Sequence, residues 1–232
     1  MPSRHEIWKM FDRISPTYDK INRVVSLGRD QAWRRALVKH LPQKQALKLL
    51  DVATGTGDQL VALFEASKQI ERAVGVDLSS DMLQIAEKKL AKKAYREQVV
   101  FQCADAEKLP FPSQTFDVTS LSFGIRNVPS PETALRELHR VLKPKGRALI
   151  LEFSLPPYPI RPVYLFYLRH LMPWIGGFFS KDREAYRYLN ETIETFPHGK
   201  EFALLLKGAG FSRIEIHPMA LGAVSLYVGT KS

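Results

Sequence analysis

The stretch 47-LKLLDVATGTGDQL-60 decides the fold, because an apolar run leads into a glycine turn that opens a helix pattern. In open α/β sheets, nucleotide-type ligands bind at such a strand–loop–helix junction. The loop departs from the dinucleotide pattern G-x-G-x-x-G, since no third glycine follows Gly55 and Gly57. The stretch therefore predicts an α/β fold and leaves open whether its loop holds a phosphate or a cation.

Short apolar runs alternate with helix-like segments from Leu47 onward, which is typical of βαβ units. We expect strands at 47–53, 73–78, 99–104, 116–123, 147–153, 213–219 and 224–230. We expect helices at 58–68, 80–93, 131–142 and 199–209. The pattern predicts a doubly wound, seven-stranded α/β sheet with helices on both faces.

A chain of 232 residues with 45% apolar content predicts one domain. Two segments interrupt the alternation: a mainly helical preface at 5–41 and a segment at 155–189 that is rich in proline and aromatics. The second is expected above the ligand edge of the sheet, as a packed cap or as a substrate lid. The expected parts are an N-terminal cap (1–45), a core (46–153), a lid (154–198) and a C-terminal helix with a strand pair (199–232).

The net charge of +10 makes nucleic acid or an anionic lipid surface a partner to consider, although the lysines of 88–93 also fit the solvated face of a helix. With Cys103 as the single cysteine and no Cys/His cluster of zinc-ligand spacing, we expect no disulfide and no metal. No apolar stretch approaches the ~20 residues of a membrane span. We therefore expect a cytoplasmic protein that is at most peripheral to a membrane.

Acidic side chains beside the loop favour a cationic ligand. Asp51 precedes the loop and Asp58 follows it, so two carboxylates would repel a phosphate. They suit S-adenosyl-L-methionine, which carries a sulfonium and an ammonium. Gly55 and Gly57 would let the backbone approach this ligand closely. The loop therefore predicts S-adenosyl-L-methionine in preference to NAD.

Two further acids end the next two strand patterns. Asp77, which Leu78 follows, closes the run at 73–78, where such folds place a carboxylate that accepts hydrogen bonds from ribose hydroxyls. Asp105 follows the run at 99–104 and can accept from an adenine amino group, while the N–H of Ala106 meets a ring nitrogen. Each acid alone could be a helix cap, but together with the loop they indicate the same cofactor.

A family pattern runs through 11-FDRISPTYDKIN-22, 26-SLGRDQAWR-34, 50-LDVATGTGD-58, 107-EKLPFPSQTFDVTSLSFGIRNV-128, 135-LRELHRVLKPKGRALILEFS-154, 186-YRYLNETIETFP-197 and 208-GAGF-211. On these stretches the chain resembles the ubiquinone/menaquinone biosynthesis C-methyltransferases. The motif FGIRNV and the opening signature make the resemblance specific, since generic methyltransferases lack them.

The resemblance implies a class I, Rossmann-like, S-adenosyl-L-methionine-dependent methyltransferase that acts on a ring carbon of a polyprenylated quinol, with demethylmenaquinol as the usual substrate. It implies cofactor contacts at Thr56, Asp77, Asp105, Ala106 and Ser122. Joined to the loop argument, the predicted cofactor site comprises Asp51, Gly55, Thr56, Gly57, Asp77, Leu78, Asp105, Ala106 and Ser122.

Arg126 is the candidate for the catalytic charge. A quinol carbon becomes nucleophilic when a hydroxyl loses its proton, and for a phenol of pKa ~10 this costs about 4 kcal/mol at neutral pH. A guanidinium beside Ser122 would stabilise that anion; the alternative is a structural arginine paired with a carboxylate. Tyr18 and Asp19 are the candidates for accepting the proton, although Tyr18 could instead pin the preface to the sheet.

The run 163-VYLFYLRHLMPWIGGFF-179 predicts an apolar tunnel or lid for a prenyl tail. Nearby basic residues would hold its mouth against an anionic membrane surface at the inner face of the cytoplasmic membrane, at about 1 kcal/mol each: Arg161, Arg169, Lys181 and Arg183.

Two rival functions remain at this stage. A nucleic-acid methyltransferase is disfavoured, because amino-group enzymes of that class tend to carry [DN]-P-P-[FY] where this chain has 120-SLSFGIRNV-128, and no nucleic-acid partner is expected. A non-catalytic scaffold in a quinone-making complex would keep the cofactor fold without turnover. The head group, the tail length and a homodimer are left open.

Overall fold

The computed structural model describes residues 12, 15, 18–20, 22–23, 26–172 and 183–232. Its strands are β1 (Leu47–Val52), β2 (Ile70–Asp77), β3 (Val99–Cys103), β4 (Phe116–Ser122), β5 (Leu142–Phe153), β6 (Arg213–Met219) and β7 (Val224–Thr230). They form one seven-stranded sheet in the order β3-β2-β1-β4-β5-β7-β6. The predicted seven-stranded α/β sheet is therefore confirmed.

The helices are α1 (Asp30–Ala36), α2 (Asp58–Ala66), α3 (Ser80–Leu90), α4 (Pro131–Val141), α5 (Ile160–Phe166), α6 (Arg183–Thr195) and α7 (Lys200–Gly208). Serine side chains cap two of them: Ser79 Oγ accepts from Met82 N before α3, and Ser130 Oγ accepts from Thr133 N before α4. Short 3₁₀ turns lie at Leu37–His40, Arg96–Gln98, Ile125–Asn127 and Ala220–Gly222, and a π turn at Tyr167–Leu171. All four helices expected between the strands are present.

The strand order reverses between β1 and β4, since β1 pairs in parallel with β2 on one side and with β4 on the other. The strands β4 and β5 are also parallel, whereas β7 is antiparallel to both β5 and β6. Ligands of open α/β sheets bind beyond the carboxyl ends of the strands at such a reversal. The topology therefore favours a ligand site at the tips of β1 and β4.

Two strands begin earlier than the apolar pattern predicts. The strand β2 starts at Ile70 and β5 starts at Leu142, which pairs with Phe116 across an irregularity in the register. Charged residues interrupt the apolar pattern at 71–72 and at 143–147. The pattern therefore does not predict where these strands begin. The charged positions 71, 72 and 145 are exposed.

The core lies on both faces of the sheet, because neighbouring residues of each strand point to opposite sides. On one face, α4 and α7 pack through Leu135, Leu138, Phe202 and Leu206. On the other face, the Leu37–His40 turn and α2 pack through Leu37, Leu60 and Leu63. A third, smaller cluster joins Leu168 and Met172 to Ile193 of α6. Within the described ranges, no helix combines the length and the apolarity needed to cross a bilayer.

Candidate active site

A cavity opens beyond the tips of β1 to β4, at the strand-order reversal. The space that it encloses, with the open mouth included, is about 930 Å³. Turns after all four strands contribute its wall, and a residue of the N-terminal preface completes it. The lining residues are Tyr18, Ala53, Gly55, Asp77, Leu78, Met82, Ala104, Asp105, Ala106, Glu107, Ser122, Phe123, Gly124, Asn127, Val128 and Pro129.

The cavity brings together seven of the twelve predicted site residues: Tyr18, Gly55, Asp77, Leu78, Asp105, Ala106 and Ser122. The other five lie outside its lining: Asp19, Asp51, Thr56, Gly57 and Arg126. Apart from Tyr18, the residues that line the cavity lie in the loop after β1 and at the tips of β2 to β4; of the others, Asp51 lies in β1, and Thr56 and Gly57 lie at the end of the loop.

Asp77 ties the glycine loop to the start of α3. Its Oδ2 accepts from Gly55 N at 2.8 Å, and its Oδ1 accepts from Ser79 N at 2.9 Å. Burial raises the pKa of the carboxyl group, although these two N–H donors oppose the rise. Each carboxylate oxygen offers two acceptor positions, so Asp77 can still accept hydrogen bonds from a ligand in the cavity.

Gly57 ends the loop as the residue before α2, with φ 79°. A Cβ at this position would lie 3.2 Å from the Cβ of Ala86 on α3. The left-handed backbone and the close neighbour both favour glycine here. Gly57 therefore shapes the loop and does not contact the cavity.

Polar side chains at the tips of β3 and β4 already form hydrogen bonds within the protein. Asp105 Oδ1 accepts from Glu107 N at 2.9 Å, which fixes the turn after β3. Ser122 Oγ donates to the buried Gln59 Oε1 at 2.7 Å. At Ser122, therefore, the hydroxyl supports the wall from behind.

Asp51 lies beneath the loop and outside the cavity lining, and its contact with the cofactor stays a prediction. Its carboxylate is buried and accepts from Thr54 Oγ and Ser120 Oγ, both at 2.6 Å. Burial raises its pKa to about 6, against the two hydroxyl donors that lower it. The side chain supports the loop from inside the sheet.

Asp51→Asn is expected to make the free energy of unfolding less dependent on pH. In the unmodified chain, that free energy should fall as pH rises. The folded-state pKa of about 6 exceeds the ordinary 3.8, so the folded chain holds this proton more tightly and the free energy of unfolding falls as pH rises through that interval. A shift of about two units corresponds to about 3 kcal/mol, which asparagine removes while still bonding both hydroxyls. Urea unfolding at about pH 4 and about pH 7, without cofactor, measures the difference; an equal fall in both proteins contradicts the prediction.

Asp19 and Thr56 join the preface to the loop, and the role of Asp19 toward the substrate stays a prediction. Asp19 Oδ1 accepts from Thr56 Oγ at 2.6 Å. Lys89 Nζ donates to Asp19 Oδ2 at 2.7 Å and to Asp58 Oδ1 at 2.5 Å. The negative charge of Asp58, which the sequence assigned to the ligand, is therefore paired with a lysine.

Arg126 forms a buried ion pair with Glu152 at the tip of β5. Its Nη1 lies 2.7 Å from Glu152 Oε1, and the two side chains are 5% and 1% exposed. The same nitrogen donates to Phe123 O at 2.6 Å, and the guanidinium carbon lies 5.2 Å from the centroid of the Phe153 ring. Burial raises the pKa of Glu152, and Arg126 opposes that rise. The structural alternative for Arg126 therefore describes its position here, and a guanidinium that acts on the substrate stays a prediction.

Sequence reasoning missed Asn127, which follows Arg126 in the Ile125–Asn127 turn. It lines the cavity, and its Oδ1 is buried without a hydrogen-bond partner in the described part of the chain. Orphaned buried acceptors are rare, and a ligand in the cavity would supply the missing donor. The sequence also held a signal for Glu152, because this carboxylate interrupts the end of the apolar run 147-RALILEF-153.

Solved structures share this fold. A SAM-dependent methyltransferase from Thermotoga maritima, described as a possible histamine N-methyltransferase, aligns with a TM-score of 0.69 over 97% of this chain and 100% of its own, at 22% identity. At that identity the likeness concerns the fold alone. The predicted class I, Rossmann-like methyltransferase fold is confirmed.

Sequence relatives cover nearly the whole chain. The Ubiquinone/menaquinone biosynthesis C-methyltransferase UbiE of Geotalea daltonii is 39% identical over 227 residues, 97% of this chain and 96% of the relative. The Demethylmenaquinone methyltransferase of Chlorobaculum parvum is 41% identical over 234 residues, 99% and 94% of the two chains. The sequence model of the ubiE/COQ5 methyltransferase family matches residues 2–231. The chain belongs to the ubiE/COQ5 methyltransferase family.

Proposed function

We propose that this chain methylates a ring carbon of a polyprenylated quinol, with S-adenosyl-L-methionine as the methyl donor and demethylmenaquinol as the substrate. Membership of the ubiE/COQ5 methyltransferase family supports the reaction type. The observation that carries the proposal is a cavity whose ionisable wall is acidic: Asp77, Asp105 and Glu107 line it, while no lysine or arginine does so among the described residues. Such a wall favours a cationic ligand over a phosphate.

The strand-tip residues fit the cofactor. When bound, S-adenosyl-L-methionine supplies an electrophilic methyl group on a positively charged sulfur. Asp77 would accept from its ribose hydroxyls, and Asp105 with the Ala106 N–H would hold its adenine. The backbone at Gly55, fixed by its bond to Asp77, would lie against the methionine part. These residues bind and orient the cofactor, and none of them needs to change its protonation state.

Asn127 and Tyr18 are the residues we assign to the quinol. Asn127 Oδ1, buried and unpaired within the described ranges, would accept a hydrogen bond from the quinol hydroxyl farther from the reacting carbon and so orient the ring. Tyr18 lines the same cavity from the preface and would relay the proton of the hydroxyl next to the reacting carbon to solvent at the open mouth. After methyl transfer the ring carbon would lose its own proton to solvent, and the ring oxygen would regain one. Arg126 acts through Asn127, because its pair with Glu152 fixes the turn that carries the asparagine.

Labelled S-adenosyl-L-methionine and a panel of quinols test the proposal, with mass spectrometry to locate the new methyl group. We expect a methyl group on a ring carbon of demethylmenaquinol. Asn127→Leu should retain cofactor affinity and lose about 100-fold in turnover, since one positioned polar contact is removed. Methylation of a quinol oxygen or of nucleic acid contradicts the proposal, and cofactor binding without transfer to any quinol identifies a scaffold.

We propose that the segment after β5 rests on the inner face of the cytoplasmic membrane, where a prenyl tail is buried. One side of α5 and the π turn contributes Leu168 to the cluster with Met172 and Ile193. The other exposes Val163 by 71% and Phe166 by 58%. An apolar face exposed in this way is typical of a membrane contact.

Charge contributes less to this contact than the sequence suggests. Arg169 is paired with Glu194 at 2.5 Å, so its charge is neutralised locally. Arg161 remains available within this segment, while Lys181 and the side chain of Arg183 lie outside the described part. Apolar insertion, assisted by the overall charge of +10, would then supply most of the affinity.

Vesicle sedimentation tests the membrane proposal. Phe166→Ser should reduce binding to vesicles, whereas Leu204→Ser, at a leucine of α7 that is 68% exposed, should leave binding unchanged. An equal loss in the two variants, or no binding by the unmodified chain, contradicts the proposed contact face. Vesicles with and without anionic lipid report the contribution of charge.

A further inference from the structure

Three metal-ligating side chains meet at the edge of the sheet, outside the lining of the cofactor cavity. His40 ends the Leu37–His40 turn, and Glu215 and His217 share one face of β6 because they are two residues apart. The strand β6 is the last in the sheet order. Ligand atoms of the three residues all lie within 4.8 Å of one another. The fold therefore builds a compact His₂Glu cluster from distant parts of the chain.

The cluster contains a polar atom without a partner. His217 Nε2 is buried and has no hydrogen-bond partner in the described ranges. Glu215 Oε2 lies 3.4 Å from it, beyond the usual length of an N–H···O bond. The His40 and His217 rings are 4.2 Å apart between centroids, so both imidazoles border the same space. A metal ion would accept the lone pair of His217 Nε2 and so give this nitrogen a partner.

We propose that His40, Glu215 and His217 bind one Zn²⁺ ion, with water in the fourth position. Two histidines and one glutamate are a ligand set that zinc uses in open, four-coordinate sites. Zinc–ligand bonds of about 2.0–2.1 Å place neighbouring ligand atoms roughly 3.3–3.5 Å apart in a tetrahedron. The present separations, all within 4.8 Å, are larger than this spacing, so the side chains would move closer together on binding.

Two arginines next to the cluster set its electrostatics. Arg213 Nε lies 3.0 Å from Glu215 Oε1, which leaves Oε2 toward His217, and Arg213 is 74% exposed and free to turn into water. Arg147 Nη1 donates to the backbone oxygen of His40 at 3.0 Å and fixes that end of the turn. Glu215 supplies the one negative charge among the three ligands, so the two imidazoles, a ligand type that suits zinc, would provide most of the coordination.

A bound ion would connect the edge strand to the segment that enters β1. In the described chain, β6 pairs only with β7. A metal held by His40 and by two residues of β6 would add a second attachment for that strand. The expected consequence is a gain in stability without a change in the cofactor cavity, because none of the three ligands lines it.

Zinc titration of the full chain, stripped of metal with a chelator, tests the proposal by calorimetry and thermal unfolding. We expect one ion per chain and a rise in Tm. His217→Ala should lose at least about tenfold in affinity, together with most of the rise in Tm. His170→Ala, at an exposed histidine of the π turn, is the matched control and should bind like the unmodified chain.

A second variant and a second metal keep the test decisive if His217→Ala fails to fold. Glu215→Gln keeps the size of the side chain and removes its charge, so it should weaken binding even if His217→Ala fails to fold. Co²⁺ should give the intense visible absorption of four-coordinate cobalt in the unmodified chain and lose it in Glu215→Gln. Binding that is unsaturable, or equal in the unmodified chain and both cluster variants, overturns the proposal.

Discussion

Arg126→Ala is expected to lower the free energy of unfolding by about 3–5 kcal/mol, because it leaves the carboxylate of Glu152 buried without its partner. Arg126 and Glu152 are 5% and 1% exposed, so water cannot replace the lost charge. Protonation of Glu152, whose pKa burial already raises, limits the loss at acidic pH. Urea unfolding at neutral pH measures the effect. Lys93→Ala, which removes a surface ion pair with Glu65, is the control and should change little.

The double variant Arg126→Met with Glu152→Leu separates the structural role of the pair from a catalytic one. Replacing a buried ion pair with apolar residues of similar volume is often neutral or stabilising. We therefore expect the double variant to unfold close to the unmodified chain and to bind cofactor normally. Its turnover should fall less than that of Asn127→Leu, since the guanidinium lies outside the cavity lining. A stable double variant with far lower turnover than Asn127→Leu would return Arg126 to direct contact with the substrate.

The fold could be predicted from the sequence because its strands are buried on both faces. Every residue of β4 and all but the last of β7 are buried, and such strands appear as continuous apolar runs. The start of β5 was missed since Lys143, Lys145 and Arg147 lie within it and interrupt the run. Pairing with a neighbouring strand, which the local sequence does not encode, keeps these residues in the sheet.

The sequence predicts the part of the cavity that is formed by residues at the strand ends. Asp77 ends β2 and Asp105 lies in the turn after β3, and the carboxyl ends of parallel strands meet at one edge of the sheet. The partners of charged residues could not be predicted, because they depend on contacts distant in sequence. Glu152 lies 26 residues from Arg126, and Thr56 lies 37 residues from Asp19. The sequence alone therefore does not decide whether a charged residue near a loop contacts the ligand or pairs with another residue of the protein.

The cluster of His40, Glu215 and His217 also depends on contacts between residues that are distant in sequence. Local spacing predicts metal sites only where ligands are close in the chain, and here one ligand precedes β1 while the other two lie on β6. The two β6 residues form a Glu-x-His pattern that is too short to be specific. Only the packing of the Leu37–His40 turn against the sheet edge brings the third ligand to them.

Asp77→Asn is expected to weaken the binding of S-adenosyl-L-methionine by about 100-fold. Two hydroxyl bonds to a carboxylate contribute about 1.5 kcal/mol or more each, and 1.4 kcal/mol is a factor of ten in affinity. The substitution also disturbs the loop, because asparagine cannot accept from both Gly55 N and Ser79 N as the carboxylate does at 2.8 and 2.9 Å. Titration calorimetry with the cofactor measures the loss.

Asp81→Asn is the matched control for that measurement, since it removes the same charge from an exposed position near the start of α3 and should leave affinity unchanged. The dependence on pH provides an independent check. Burial raises the pKa of Asp77, and hydroxyl donors favour its ionised form, so cofactor affinity in the unmodified chain should fall as pH drops through that pKa. The Asp77→Asn variant should lack this dependence. Unchanged affinity in Asp77→Asn, or tight binding of NADH by the unmodified chain, would mean that the acid at the β2 tip does not hold the ribose of a cationic cofactor.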